Sequence, residues 1–451
     1  MPESVSDKLL KGPLGPAILR PWFDRVGLWG VSKWYFPLSR AWAAALESNG
    51  DVDHWLSLLG GSGRPRKVVE TALRRTQAAA AAHREADATW EAVFFGAEGG
   101  DAAERAWAER RRLGRAHDFM GARSYFSPLQ MLRAFPPVRL EIPDPAEVRA
   151  GQGERLANPE AAWPLPAMSR MTLSDAFDGA PFDTRFLRFD SPVLGDPVTA
   201  RVLTPTGAED PPTLIMLHGV AMETEFWKGL AQSTLQVAGQ GVRLVLPEGP
   251  WHGRRRLPGW YGGEPVLGQG PLGLMELFEA WVAEVSLVIR WARASSRGPI
   301  AVGGVSLGAL TTQILGSAPA LWPAEAQPDA LFLIATTGDL AAVAEHGSLV
   351  TALGLPPKLE AAGWTDPEVD RWLPLLEPAA KPLMAPENVV MSLGSADDLT
   401  PYRGGLDLAR RWAVPEENVF KRERGHFSVS LGLLEDPRPL ARLREILARL
   451  V

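Results

Sequence analysis

Apolar and polar positions follow two different rhythms along this chain. Up to about residue 135 apolar residues recur at helical spacing. Arg66 to Phe95 is one long Ala-rich stretch that breaks only at Phe94-Phe95-Gly96, and Asp101-Ala102-Ala103-Glu104 has the form of a capping box opening a further helix. From about residue 182 the rhythm changes to short apolar runs bounded by Gly, Pro, Asp or Asn. These predict eight strands: Arg185–Phe189, Val198–Leu203, Thr213–Leu217, Val242–Leu246, Ile300–Gly303, Ala330–Ala335, Asn388–Leu393 and Asn418–Lys421. Helical stretches such as Glu276 to Arg293 separate the later runs. A mostly parallel eight-stranded sheet covered by helices on both faces is the predicted α/β architecture.

Three regions follow from this pattern: helical residues 1–135, a connector over 136–181 marked by Pro136, Pro137, Pro143, Pro145, Pro159, Pro164 and Pro166, and a sheet region over 182–451. The chain has 451 residues and no cysteine, which excludes disulfides and thiolate metal sites and is compatible with a reducing compartment. Met1 to Lys11 carries charges and no long apolar run, and no segment is apolar for the roughly eighteen residues a membrane span needs. A cytoplasmic protein is therefore expected. The net charge of −6 offers no overall attraction to nucleic acid.

Four short words carry candidate chemistry: His218-Gly219, Gly304-Val305-Ser306-Leu307-Gly308, Asp397 within Asp-Asp-Leu-Thr-Pro, and Gly425-His426-Phe427. Ile300 to Gly303 is an apolar strand and Leu307 to Leu315 has helical spacing, so Ser306 falls on a strand-to-helix turn. Such a turn forces the serine backbone into strain and leaves no room for side chains at Gly304 and Gly308. The following helix aims its N-terminal N–H groups at the space before the serine hydroxyl.

In this order the words resemble the α/β-hydrolase superfamily, over about residues 182–451. The resemblance implies Ser306 as nucleophile, His426 as base and an acid on the loop Gly394 to Pro401. Register favours Asp397, with Asp398 the alternative one residue on. It further implies an oxyanion hole from the N–H groups of Val220 and Leu307, with Ala221 the alternative to Val220 because the chain lacks a His-Gly-Gly-Gly word. Neutral His426 would take the Ser306 proton during attack on a carbonyl carbon, the aspartate would orient the imidazole, and water would release the acyl enzyme. This chemistry needs no metal and no cofactor.

Two insertions shape the expected pocket. Trp251 to Gly273 opens with Pro250-Trp251-His252-Gly253-Arg254-Arg255-Arg256, similar to the family's Pro-x-His-Gly turn. The arginines offer a clamp for phosphate or carboxylate, or pairing with a carboxylate such as Glu248. Thr336 to Pro386, with helix-like Leu340 to Ala352 and Pro367 to Leu376, is placed where the family carries a lid. Met222, Trp251, Trp260 and Tyr261 are the expected substrate-binding residues, suiting an apolar acyl or aryl group.

The reading is a serine esterase acting on a small-molecule or lipid ester. The alternatives are a lysophospholipase, lipase or acyltransferase using the same triad, and a non-catalytic binding protein on the same fold. Trp22, Trp29, Trp34, Trp42 and Trp55 make the N-terminal region aromatic. They suit packing on the catalytic core, a lipid interface, or self-association into a homo-oligomer.

Overall fold

A computed structural model of the chain describes residues 19–60, 63–179, 181–222 and 241–450. The expectation for Met1 to Lys11 lies outside the described residues. Among the described residues nine strands form one sheet: β1 (Thr172–Leu173), β2 (Phe182–Asp190), β3 (Pro197–Pro205), β4 (Thr213–Leu217), β5 (Arg243–Pro247), β6 (Ile300–Val305), β7 (Ala330–Ile334), β8 (Val389–Gly394) and β9 (Val419–Arg422). Their order is β1-β2-β3-β5-β4-β6-β7-β8-β9. The β1-β2, β2-β3 and β3-β5 pairs are antiparallel and the remaining pairs parallel. Eight strands were expected. The ninth, β1, is two residues long, too short for any alternation to register, and is held only by its register on Arg188 and Leu187.

The buried strands read as continuous apolar runs because both faces are covered. Successive side chains point to opposite faces. Ile215 and Leu217 pack with Val302, Leu331, Leu333 and Met391 against Phe278, Trp281 and Leu310. Leu214 and Met216 pack on the other face with Ala301, Phe332 and Val390 against Leu443, Ile446 and Leu447.

The helices that matter for the site are α1 (Pro21–Gly30), α2 (Phe36–Glu47), α3 (Arg66–Phe95), α4 (Ala102–Gly121), α5 (Pro271–Ser295), α6 (Leu307–Leu315), α7 (Leu340–His346), α8 (Asp366–Leu376), α9 (His426–Leu431) and α10 (Arg438–Arg449). Asp101 and Glu104 form the expected capping box at the start of α4. The Pro-rich connector is not irregular throughout. Pro145 opens a helix to Ala157, its ring occupying a first-turn position whose N–H would be orphaned anyway, and Asp144 caps it reciprocally with Glu147. The helix expected over Leu340 to Ala352 is two helices, because the chain breaks at Gly347, where a Cβ would meet the Val343 carbonyl at 2.5 Å.

The N-terminal aromatics divide into two groups. Trp42 and Trp55 are fully buried, Trp42 donating to the Phe119 carbonyl at 3.1 Å and Trp55 to the Ala41 carbonyl at 2.9 Å. Trp22, Trp29 and Trp34 are substantially exposed. The buried group shares one core with Ala221, Tyr261 and Leu267 of the sheet region, so these helices sit against the loops that follow β4 and β5. Arg40 of α2 reaches into that junction and pairs with buried Glu264 at 3.1 Å. Among the described residues no helix is long and apolar enough to cross a membrane.

Candidate active site

Ser306 stands between β6 and α6 with φ 55° and ψ −120°, a conformation a side-chain-bearing residue rarely adopts. The flanking glycines allow it. A Cβ at Gly304 would lie 2.2 Å from the Gly308 carbonyl carbon, and one at Gly308 would lie 2.5 Å from the Leu217 carbonyl oxygen. The crowding thus comes from the start of α6 and the end of β4, and not from the serine itself.

The Ser306 hydroxyl faces His426 Nε2 at 2.8 Å, and His426 Nδ1–H donates to Asp397 Oδ2 at 2.9 Å. His426 follows β9 at the first position of α9, and Asp397 follows β8, so the parallel strands deliver all three side chains at their carboxyl ends. Asp397 is buried and takes N–H bonds from Leu399 and Thr400 at 3.0 Å each on its other oxygen. Asp398 points elsewhere: it is exposed and accepts from the Ser348 hydroxyl at 2.8 Å. Of the two aspartates, Asp397 is the one within hydrogen-bonding distance of His426. Burial favours a neutral His426, but the carboxylates of Asp397, Asp24 and Asp398 outweigh it and hold the imidazole pKa above its ordinary value.

The N–H of Leu307 heads α6 and that of Val220 follows the β4 turn. Neither takes a partner among the described residues. Ala221 N–H is engaged, donating to His252 Nε2 at 3.1 Å. Ala221 holds φ 56° to make that bond. The bond has a counterpart, since His218 Nε2 accepts from Gly249 N–H at 3.0 Å. Each histidine therefore clasps the backbone of the other's loop, their rings 4.7 Å apart. Burial pushes the His218 pKa down to about 4, with the Arg255 charge adding to it, and holds that of His252 well below its usual range. Both stay neutral, so each keeps the lone pair that accepts.

Of the residues expected to bind substrate, Met222 lies across Gly219 from the serine: a Cβ on Gly219 would meet Met222 Sδ at 3.2 Å and Ser306 Cβ at 3.5 Å. Trp251, Trp260 and Tyr261 are buried and already partnered. Tyr261 stacks on Phe36 at 5.5 Å and donates to the Pro137 carbonyl at 3.0 Å, the Arg139 guanidinium covers Trp260 at 5.1 Å, and Trp251 belongs to the sheet core. Tyr261 thereby ties α2 to the sheet region. Apolar character is a poor guide to a pocket wall because core and pocket demand the same residues.

The arginines are no clamp. Arg255 is enclosed by Glu284 at 2.6 Å and Asp196 at 2.8 Å, Arg254 meets Glu91 at 3.1 Å and Glu248 at 3.7 Å, and Arg256 lies over the Trp42 ring at 4.6 Å. Two further residues, Thr400 and Asp24, complete the site. Thr400 Oγ1 lies 2.9 Å from Asp397 Oδ2 and 3.1 Å from His426 Nδ1, and its place in the Asp-x-x-Thr word was its only signal. Asp24 reaches the site from the far end of the chain, where no motif marks it.

No protein-family model matches the sequence, and no curated protein matches it. Among solved structures, the chain is similar to acetyl xylan esterase 1 from Thermoanaerobacterium sp. JW/SL YS485, at 15% identity over 67% of this chain and 98% of that one, with a TM-score of 0.44. It is similar to a cold-adapted esterase from an Arctic intertidal metagenomic library at 15% identity, over 59% and 95% of the two chains, TM-score 0.39. It is similar to the Pyrococcus horikoshii acylaminoacyl peptidase at 12% identity, over 62% of this chain and 48% of that one, TM-score 0.41.

Proposed function

We propose that this chain, an α/β-hydrolase by fold, is a serine hydrolase that cleaves a carboxylic ester through an acyl-enzyme. One observation carries the reading: the continuous relay from Ser306 Oγ through His426 to Asp397. The N–H groups of Val220 and Leu307, without partners among the described residues, are the proposed oxyanion donors.

Neutral His426 Nε2 takes the hydroxyl proton as Ser306 Oγ attacks the ester carbonyl carbon. The carbonyl oxygen becomes an oxyanion, which the two N–H groups and the positive end of α6 stabilise. Collapse breaks the bond to the alkoxy oxygen, and His426 returns the proton to that oxygen, releasing the alcohol. Water then gives a proton to His426 and attacks the acyl carbon. The second oxyanion collapses with cleavage of the bond to Ser306 Oγ, His426 returns its proton to that oxygen, and the carboxylic acid leaves with Ser306 and neutral His426 restored. Asp397 stays ionised throughout, holding Nδ1–H and offsetting the imidazolium charge. Val220 and Met222 make the oxyanion side apolar, which suits an apolar acyl group on a small or lipid-like ester. The segment 336–386 is proposed to cover this side of the sheet, because Ser348 is hydrogen-bonded to Asp398 beside the acid.

The test is intact mass after treatment with a fluorophosphonate, on wild type and Ser306→Ala together, followed by an ester panel graded by acyl length. A single adduct on wild type alone, and ester turnover reduced by orders of magnitude in the variant, is the expected outcome. Equal labelling or equal turnover of the two proteins would remove Ser306 from the mechanism.

A further inference from the structure

The turn that presents His426 is held by a residue four hundred positions earlier. Asp24 lies on α1, is 8% exposed, and directs its carboxylate at the start of α9. Oδ1 accepts from Phe427 N–H at 2.6 Å and Ser428 N–H at 3.0 Å, while Oδ2 accepts from Gly425 N–H at 3.2 Å and from the Ser428 hydroxyl. Helix α9 has no N-cap side chain of its own, since the residue before it is Gly425. Asp24 does in trans what an N-cap aspartate does in its own helix, and it brings a full negative charge to the positive end. The approach is close on both sides: a Cβ on Gly425 would collide with the Asp24 carboxyl carbon at 2.4 Å, and one on Gly27 would meet the Phe427 ring at 3.0 Å.

The geometry points to Asp24 as a positioning residue for the base: by binding Gly425, Phe427 and Ser428 it fixes where the His426 imidazole stands relative to Ser306. This rests on the hydrolase reading above. It makes the N-terminal helix a component of the reaction centre. The charged groups around the turn are Asp397 and Asp398 on the acid loop, Asp24 on α1, and the Arg424–Glu435 pair behind it. Asp24 is the one among them that bonds the backbone on both sides of His426.

The experiment compares full-length wild type, Asp24→Asn, Asp24→Glu and Asp24→Ala by fluorophosphonate labelling rate, by kcat and KM on the best ester of the panel, and by NMR titration of the His426 ring. Asp24→Asn keeps the shape and removes the charge. We expect labelling rate and kcat per reactive site to fall about ten- to a hundredfold, as displacements of an ångström do, with KM nearly constant. The His426 titration should move to lower pH, and Asp24→Glu should restore part of the rate. A merely structural role would lower the yield of folded protein or its Tm without moving the rate per reactive site. Unchanged rate per reactive site in both the Asn and Ala variants would overturn the proposal. Absence of labelling on wild type would count against Ser306 and not against Asp24, whose hold on the turn is then read from the NMR amide shifts of Gly425, Phe427 and Ser428, and amides unmoved in both variants would overturn it.

Discussion

Protonation of His426 removes the lone pair that must receive the serine proton, so activity falls as pH drops through its pKa. The neighbouring carboxylates hold that pKa above the ordinary imidazole value of about 6.5. The acid limb of kcat/KM is therefore expected to have its midpoint above about 6.5, and a pH–rate profile still flat at pH 6 would contradict the base assignment. At His252 the consequence is geometric. His252→Ala leaves the Ala221 N–H without its acceptor, at a cost of about 1–3 kcal/mol for an unsatisfied buried donor. It also frees the loop that carries Val220. Removing an oxyanion donor outright costs about 10²–10³ in kcat. Loosening one should cost about tenfold or more with little change in KM, and a variant with wild-type kcat would separate the clasp from the chemistry. At this scale the proposed nucleophile and base stand out because a strained turn and a Gly-His pair demand particular residues at fixed spacing. Register favours Asp397 over Asp398, but a one-residue bulge would exchange them, and it is the observed turn that sets Asp397 2.9 Å from His426.

Elements were legible where their signals are local. The helix Arg66–Phe95 begins and ends where its pattern and Gly96 place it, and the Asp101–Glu104 box caps its successor. The connector helix and the break at Gly347 escaped because a proline reads equally as a helix start or a loop, and a glycine inside a helical pattern as a tolerated residue. The strand–turn–helix of β6 and α6 has no such freedom. Gly304→Ala would place a methyl within 2.2 Å of the Gly308 backbone, which cannot yield without moving the elbow. We expect destabilisation of at least about 1–3 kcal/mol together with loss of fluorophosphonate labelling. Denaturant unfolding and labelling of the same preparation check this, and a folded, fully labelled Ala variant would show that the elbow can relax.

Across the whole molecule, three charged side chains join the loop between β2 and β3, the turn after β5 and the middle of α5: Asp196, Arg255 and Glu284, with Arg255 and Glu284 each about 1% exposed. Arg255→Met would strand the buried Glu284 carboxylate, and such a broken pair costs about 3–5 kcal/mol. Chemical denaturation should show it. Arg255→Met with Glu284→Leu should regain most of the loss, and a single variant within about 1 kcal/mol of wild type would mean that water reaches the carboxylate. These arginines illustrate where sequence reading stops, because exposed clamp and buried tie are the same residues until their partners are placed. By itself the sequence determined the α/β layering, the order of strands along the chain and the elbow, and it pointed to Ser306 and His426 as the proposed nucleophile and base, because periodicity and tight turns are enforced by neighbours within a few residues. Only the tertiary structure decided which aspartate meets His426, that Ala221 N–H is spent on His252, that Trp251, Trp260 and Tyr261 are packing residues, and that Asp24 grips the catalytic turn. Each of these depends on contacts across tens to hundreds of residues, and local pattern carries no record of which distant group arrives.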